Sequence, residues 1–439
     1  MCPSYMVTRE EKHSTRGRAR LLWEMLEGQV IGKNGWRDKH VKDALDLCLA
    51  CKGCKSDCPV NVDMATYKAE FFSHYYKGRL RPIYAYAFGL IHIWARLAMW
   101  APSLVNFLNR APFFSTLAKA LIGVAPQRTI PAFAPESFTS WFARRPVHNR
   151  GRRKVMLWPD TFNNYFHPAV AKAAVEVLED AGFQVILPGR DLCCGRPLYD
   201  YGMLDTARRW LQQILDSLVS HLAAGTFIVG LEPSCTAVFR DEVHELFPNN
   251  ETARRLKTQT FTLAEFLEKH VPDYHSPKLH RKALVHGHCH HKAVMKLGCE
   301  EKLFDQLGLD YEVLDSSCCG MAGAFGFEVD KYHVSIACGE RVLLPAVRSA
   351  GKDTLIIADG FSCRTQIEET TERHALHIAQ VLKMALEHGP RGPAGNLPEQ
   401  SYIEPPPPIP SKGKTVAILA LGALLVGAVA AWIGGRRRN

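Results

Sequence analysis

The stretch "LCLACKGCKSDCPV" sets Cys48, Cys51, Cys54 and Cys58 at the spacing C-x2-C-x2-C-x3-C, with Pro59 behind the last. Three thiols two residues apart let one loop wrap three irons of a cube, and the proline turns the chain away. A zinc site more often draws on two separated C-x2-C pairs. The run therefore predicts a [4Fe-4S] cluster. Where such runs occur in pairs, the fourth cysteine of each ligates the other cluster. Cys2, followed by Pro3, has the form of such a fourth cysteine. It is expected to complete the set Cys48, Cys51 and Cys54, which leaves Cys58 to a cluster whose other ligands lie outside this chain. On that reading residue 1 is an internal methionine of a longer protein, or the gene is split there. The alternative is a frayed terminal thiol.

Two further cysteine sets sit in an internal repeat across residues 151–390. Each copy carries Cys-Cys-Gly, at Cys193-Cys194 in "DLCCGRPL" and at Cys318-Cys319 in "SSCCGMAG". Each pair is followed by a cysteine just beyond a hydrophobic strand, Cys235 and Cys363. With Cys289 the second copy has four candidates, a full ligand set for another iron–sulfur cluster. The first copy has three, and where a first ligand would stand "WPDTFNNYF" offers Asp160. Such a set can bind a cluster with a non-cysteine ligand, act as redox thiols, or have decayed. Around Cys289 lie His286, His288, His290 and His291. Zinc is one reading; histidines that hydrogen-bond or carry protons beside a cluster are the favoured one. Cys299 and Cys338 fall in helical stretches without partners and read as core.

The elements that must hold these groups are legible in outline. "STRGRARLLWEMLEG" reads as a helix with Ser14 or Thr15 as cap, Leu21, Leu22, Met25 and Leu26 as apolar face and Gly28 as stop. A second helix follows Pro59 through "MATYKAEFFSHYYK". Within the repeat, strands such as "FIVGL" and "LIIAD" alternate with helices, which implies α/β units with mostly parallel sheets. Ligands then gather at the carboxyl ends of the strands. No Gly-rich dinucleotide loop or phosphate loop is present, so no FAD or NAD site is legible.

The expected fold class is α+β and multidomain: an α-helical ferredoxin domain (1–81), an aromatic amphipathic helical connector (82–150), a first Cys-rich α/β module (151–272) and a second (278–390). A Pro-rich linker (391–414) and a transmembrane helix (415–435) complete it. The connector is either interfacial, against a membrane or quinone, or an internal helix pair. The final apolar run has the length of a bilayer crossing, with Trp432 near its end and Arg436–Arg438 beyond. The fourteen cysteines are clustered and no cleavable signal peptide is visible, which argues for metal ligation in a reducing compartment. The arginines beyond the span mildly oppose a cytosolic body, but the reduced cysteines argue for one, and on them the body is placed on the cytoplasmic side of the inner membrane with a single C-terminal anchor. The net charge of +10 is spread along the chain without a nucleic-acid module, so nucleic acid is excluded as partner.

A ferredoxin run followed by two Cys-Cys-Gly modules resembles the iron–sulfur subunits of glycolate oxidase and anaerobic glycerol-3-phosphate dehydrogenase, and the heterodisulfide reductase family. "MCPSYMVTREEKHSTRGRARLL", "LEPSCTAVFRDE", "VHGHCHHKAVM" and "CCGMAGAFGFE" resemble the C-terminal half of fused FAD-linked oxidase/iron–sulfur proteins that act on D-2-hydroxy acids. The resemblance covers about residues 1–388. It implies an iron–sulfur component of an oxidoreductase acting on CH-OH donors. Electrons would come from an FAD-containing domain or subunit, which this chain lacks, and pass to a quinone or other membrane acceptor. The rival is a heterodisulfide-reductase-like thiol–disulfide reductase with catalysis at the Cys-Cys-Gly cluster.

Overall fold

The computed structural model describes residues 2–403 apart from 30, 32 and 33. Its N-terminal part is helical. The helix Thr15–Glu27 is started by Ser14, whose hydroxyl accepts from the Gly17 N–H, and is stopped by Gly28 in the left-handed region. Its buried side runs through Gly17, Arg18, Glu24 and Met25. Leu26, expected on the apolar face, is exposed. The reason is the neighbouring helix Lys39–Asp46, whose Ala44 carbonyl accepts from Arg18 Nε and so draws the arginine edge inward. Helix Met64–Tyr75 follows, capped by Asp63, and sends Phe71 and Phe72 into a core shared with Met25, Val41 and Cys48.

Two parallel sheets follow. The first is built from β1 (Lys154–Leu157), β2 (Gln184–Ile186), β3 (Phe227–Gly230) and β4 (Thr260–Thr262), in the order β2-β1-β3-β4. The second comprises β5 (Lys282–Val285), β6 (Asp310–Val313) and β7 (Leu355–Ile357), in the order β6-β5-β7. β1 and β5 each sit between two parallel neighbours, and their apolar residues are buried on both faces, as expected of strands covered by helices on both sides. A parallel bridge between Ile357 and Leu376 marks where a fourth strand would stand in the second sheet. One core joins the two sheets: Val155, Leu157 and Val229 share it with Ala283, Val285 and Ile357, and helices Pro168–Asp180 and Ile378–His388 pack between them.

Between the N-terminal helices and the first sheet run five short helices, of which the first four are Ile83–Gly89, Ile91–Ala98, Pro102–Arg110 and Pro112–Ile122 and the last is Phe138–Arg144. They pack inward through Ala85, His92, Ala95 and Ala98 and leave Leu97, Trp100, Phe113 and Leu121 exposed. The first two also carry Phe88 and Ile91, which wall a cavity described below.

The structure gives no support to the expected C-terminal anchor, nor to the placement on the cytoplasmic side of the inner membrane that rested on it. No helix among the described residues is long and apolar enough to cross a membrane. The longest, Leu204–Ala223 at 20 residues, carries Asp205, Arg208, Arg209 and Asp216 on its outer side. The apolar run at 415–435 lies outside the described residues.

Candidate functional site

The cysteine loop after helix Lys39–Asp46 is shaped by left-handed backbone at Ala50 (φ 50°) and Lys52 (φ 58°). These turns bring Cys48, Cys51 and Cys54 to one side, where all three lie within electrostatic reach of one another or of Cys2. Cys2 caps the short helix Pro3–Thr8, and its Sγ accepts from Arg18 Nη1 at 2.9 Å. Burial works against its thiolate, but the Arg18 charge, Ser4 and the Tyr5 N–H outweigh burial and leave its pKa below the ordinary thiol value. Cys54 is pushed up to about 11, by burial first, although its Sγ accepts from the Met64 N–H. Cys58 stands apart: three backbone N–H groups, of Val62, Val60 and Asn61, lower its pKa, and no other thiol contributes to it.

The second module brings Cys289, Cys318, Cys319 and Cys363 together in one buried core. Cys289 follows β5, Cys318-Cys319 lie in the loop after β6, and Cys363 opens the first turn of helix Phe361–Thr370 after β7. Gly320 makes the thiol pair possible: it has φ +92°, and a Cβ there would fall 2.0 Å from the Ser335 carbonyl oxygen. The sulfurs hydrogen-bond in a chain, Cys289 to Cys318 to Cys319 to Cys363. Cys289 is lowered to about 7, chiefly by the Cys318 hydrogen bond, while Cys318 is raised by its neighbouring thiols. Protons in such a set belong to the group. His286, Cys319 and Cys363 present ligand atoms within 4.8 Å of one another. His286 Nδ1 is held by Ser316 Oγ at 2.8 Å, which turns the ring's other, buried edge to Cys319, with which it hydrogen-bonds. Four clustered thiols, three of them buried, with the His286 imidazole on Cys319 and the His290 N–H on Cys289, fit an iron–sulfur cluster, whose cationic irons would balance the thiolates.

The first module brings together Cys193, Cys194 and Cys235, with Cys194 Sγ 2.9 Å from Cys235 Sγ. Asp160 does not take the place of a fourth ligand. Its Oδ1 accepts from the Phe162 and Asn163 N–H groups and its Oδ2 from Asn163 Nδ2, so it caps helix Thr161–Tyr165. Burial and the neighbouring Glu232 raise its pKa to about 6.

Several residues that join these sets were not legible in the sequence. The Ala50 carbonyl accepts from His290 Nε2 at 2.9 Å, and Leu49 and Cys51 pack in the second module's thiol core. Lys52, its side chain fully buried, pairs with Asp63 at 2.9 Å, Asp241 at 2.6 Å and Glu242 at 3.0 Å, tying the cysteine loop to the first module. Cys338, read as core, is buried between Cys319 and Cys2, both of which raise its pKa after burial itself. Helical spacing gave no signal for it. A cavity of about 160 Å³ is walled by Phe88, Phe162, Phe166 and Phe361 on one side and by His288, Cys289, Cys318 and Cys319 on the other.

Comparison with known proteins agrees with this layout. A 4Fe-4S dicluster domain matches residues 1–62, and a cysteine-rich domain matches twice, at 160–240 and 284–368. Among relatives, D-2-hydroxyglutarate dehydrogenase of Pseudomonas putida is 26% identical over 87% of this chain and 41% of its own length. A subunit of the anaerobic glycerol-3-phosphate dehydrogenase of Escherichia coli is 28% identical over 62% of this chain and 69% of its own. Lactate utilization protein A of Halalkalibacterium halodurans is 30% identical over 52% of this chain and 96% of its own. The chain belongs to this family of iron–sulfur, Cys-Cys-Gly-domain dehydrogenase proteins, and iron–sulfur clusters are its cofactors. It spans about two fifths of the length of the D-2-hydroxyglutarate dehydrogenases it matches.

Proposed function

We propose that this chain is the electron-transfer portion of a flavin-dependent D-2-hydroxy-acid dehydrogenase. It would take electrons from a separate FAD-bearing domain or subunit and deliver them to a quinone. The observation that carries this reading is the contact between the two thiol sets and the cavity beyond: Cys51 packs in the core of Cys289, Cys318, Cys319 and Cys363, and three of those four thiols line an apolar cavity. Iron–sulfur clusters, when bound, supply one-electron carriage between a two-electron donor and a two-electron acceptor. Cys2, Cys48, Cys51 and Cys54 would hold the first, and Cys289, Cys318, Cys319 and Cys363 the second.

The chain's own residues prepare the acceptor side. Phe88, Phe162, Phe166 and Phe361 exclude water and offer flat apolar faces, with Phe162 and Phe361 stacked at 4.6 Å between centroids. His288 Nδ1 accepts from the His290 N–H, so its Nε2 carries the proton and can donate to a carbonyl oxygen in the cavity. Glu232 is pinned by the Phe361 and Ser234 N–H groups, and burial raises its pKa. Quinone reduction consumes two protons with two electrons, and these two side chains stand where such protons are needed.

The test is single-turnover reoxidation. The anaerobically purified chain, reduced with dithionite and freed of excess, is mixed with a short-chain benzoquinone or with a small disulfide. Bleaching should reverse with the quinone and not with the disulfide. Reversal by the disulfide alone, abolished in Cys318→Ser, would instead make the chain a thiol–disulfide reductase.

A further inference from the structure

We infer that the first module also holds an iron–sulfur cluster, with Cys193, Cys194 and Cys235 as thiolate ligands and the Thr161 hydroxyl as the fourth, oriented by His92. The inference rests on the reading of the second module's four thiols as a cluster site.

The two sheets supply the argument. β1 pairs β3 with Val155 opposite Phe227, and β5 pairs β7 with Ala283 opposite Leu355, so the two sheets share one register. Counted from these pairs, Cys235 and Cys363 stand the same number of residues along. Counted from Val155 and Ala283, so do Thr161 and Cys289. Thr161 therefore occupies the position of the second module's first ligand. The contacts agree: Cys289 hydrogen-bonds Cys318, and Thr161 hydrogen-bonds Cys193.

The surroundings of Thr161 are built for an oxygen ligand. Its Oγ1 lies 3.2 Å from Nδ1 of His92, a buried residue of connector helix Ile91–Ala98. His92 Nε2 faces Asp191 Oδ1 at 4.0 Å, and Asp191 is held in turn by the Tyr165 hydroxyl and by Arg96 Nε at 3.3 Å. The Asp191 backbone carbonyl hydrogen-bonds the His92 ring, which puts the proton on Nε2 and leaves Nδ1 to accept from the Thr161 O–H once iron takes the place of the Cys193 contact. With its hydrogen directed at His92, the hydroxyl turns a lone pair toward the thiols. As a cluster binds, the three thiols give up their protons to solvent and no electron moves; the Thr161 O–H turns from Cys193 to His92, and an iron–oxygen bond replaces the Thr161–Cys193 hydrogen bond.

A separate observation points to an absent group. Trp158 is 1% exposed, packs in one core with Cys193, Cys194 and Cys235, and its Nε1 has no partner. It stands one residue past β1, where His286 stands one residue past β5, and His286 hydrogen-bonds Cys319 of the second module's thiols. Both modules thus set a ring nitrogen at this position in the core of their cysteines, and in the first it is an unpaired N–H that a cluster sulfide would accept.

The test uses the full chain, assembled anaerobically with iron and sulfide, and reads iron and sulfide content, EPR and midpoint potential. Cys235→Ala should lose about four irons. Thr161→Val should lose about one iron of that cluster and give an oxidised three-iron EPR signal. Thr161→Cys should keep the iron and lower the potential. Unchanged iron in Cys235→Ala, with an unchanged melting curve, would overturn the cluster. Thr161→Val and Thr161→Cys both indistinguishable from the parent would overturn the oxygen ligand. Cys363→Ala is run in parallel: iron lost there but not in Cys235→Ala sinks this inference alone, whereas iron lost in neither sinks the reading it rests on.

Discussion

The imidazole of His290 donates through Nε2 to the carbonyl oxygen of Ala50 at 2.9 Å, across 240 residues of sequence. Ala50 is the residue before Cys51, and His290 the residue after Cys289. This one bond therefore links the backbone of the N-terminal cysteine loop to the second module's thiols, and it does so at a residue already in the left-handed region. Removing it in His290→Phe leaves a buried carbonyl unsatisfied at a cost of ~1–3 kcal/mol. The loop should relax away from the module while each thiol set keeps its iron. The expected result is unchanged iron content with a weakened magnetic interaction between the two reduced clusters by EPR. An unaltered coupling would mean that the hydrophobic contact of Leu49 and Cys51 alone sets their separation.

Arg18 is the counterpart at Cys2. It donates through Nε to Ala44 O, through Nη1 to Cys2 Sγ and through Nη2 to Ser4 Oγ. Arg18→Gln removes the charge that offsets burial at Cys2, so the thiol should bind iron less readily. The N-terminal cluster should lose iron to a chelator about tenfold faster, the equivalent of ~1.4 kcal/mol. The second module's cluster should be untouched, which EPR of partly stripped protein would resolve.

Lys52 carries the largest single stability prediction. Its ammonium is enclosed by Asp63, Asp241 and Glu242. Lys52→Met leaves Asp63 and Asp241 to Lys55 alone and Glu242 to Arg196, and should destabilise the chain by about 3 kcal/mol, the low end for breaking a buried pair. The same knot sets an acid limit. Burial alone would raise Asp63, but Lys52, the Thr66 N–H and Lys55 bring its pKa from the ordinary 3.8 to about 2. A depressed carboxylate pKa contributes stability that is fully present above about 4 and is lost as pH falls through about 2. Thermal melts of the parent should therefore steepen in that window, and those of Asp63→Asn should not.

How far the sequence led differs from set to set. The spacing of Cys48, Cys51 and Cys54 is local, so a loop of few residues reveals it directly. Cys-Cys-Gly recurs in two copies, and the glycine's positive φ follows from the tight turn. Strand register was not local. Thr161, not Asp160, stands at the Cys289 position, and only the β1–β3 and β5–β7 pairings reveal it. Contacts such as Lys52 with Asp241, or Cys338 between Cys2 and Cys319, join residues far apart in sequence and leave no periodic trace. The connector's periodicity did not say which side packs: Phe88 and Ile91 wall the cavity, while Trp100 and Phe113 stay exposed.

The two module glycines should respond differently to the same change. Gly195 has φ +81°, and a Cβ there would rest 3.7 Å from Ala207, in ordinary contact. Gly195→Ala should cost only the left-handed strain, roughly 1–2 kcal/mol. At Gly320 the added Cβ would meet the Ser335 carbonyl oxygen and the Cys338 Cβ. The loop must then shift, taking Cys318 and Cys319 with it. Denaturant melts should show a small loss for the first variant. Iron analysis of the second should show about four irons missing.

The cavity makes a prediction about acceptor affinity that leaves the clusters alone. Ile91 lines it from the connector, opposite the thiols and outside every cysteine set. Ile91→Trp adds an indole that competes for the space an apolar ring would fill. Iron content and EPR should match the parent, since no ligand or hydrogen bond to one is altered. Reoxidation of the reduced chain by a short-chain benzoquinone should need about tenfold more quinone for half-maximal rate, a loss of ~1.4 kcal/mol in binding. Ferricyanide, a charged acceptor that reacts at the surface, should reoxidise parent and variant alike. Equal quinone dependence in the two proteins would place the acceptor elsewhere and remove the cavity from the electron path.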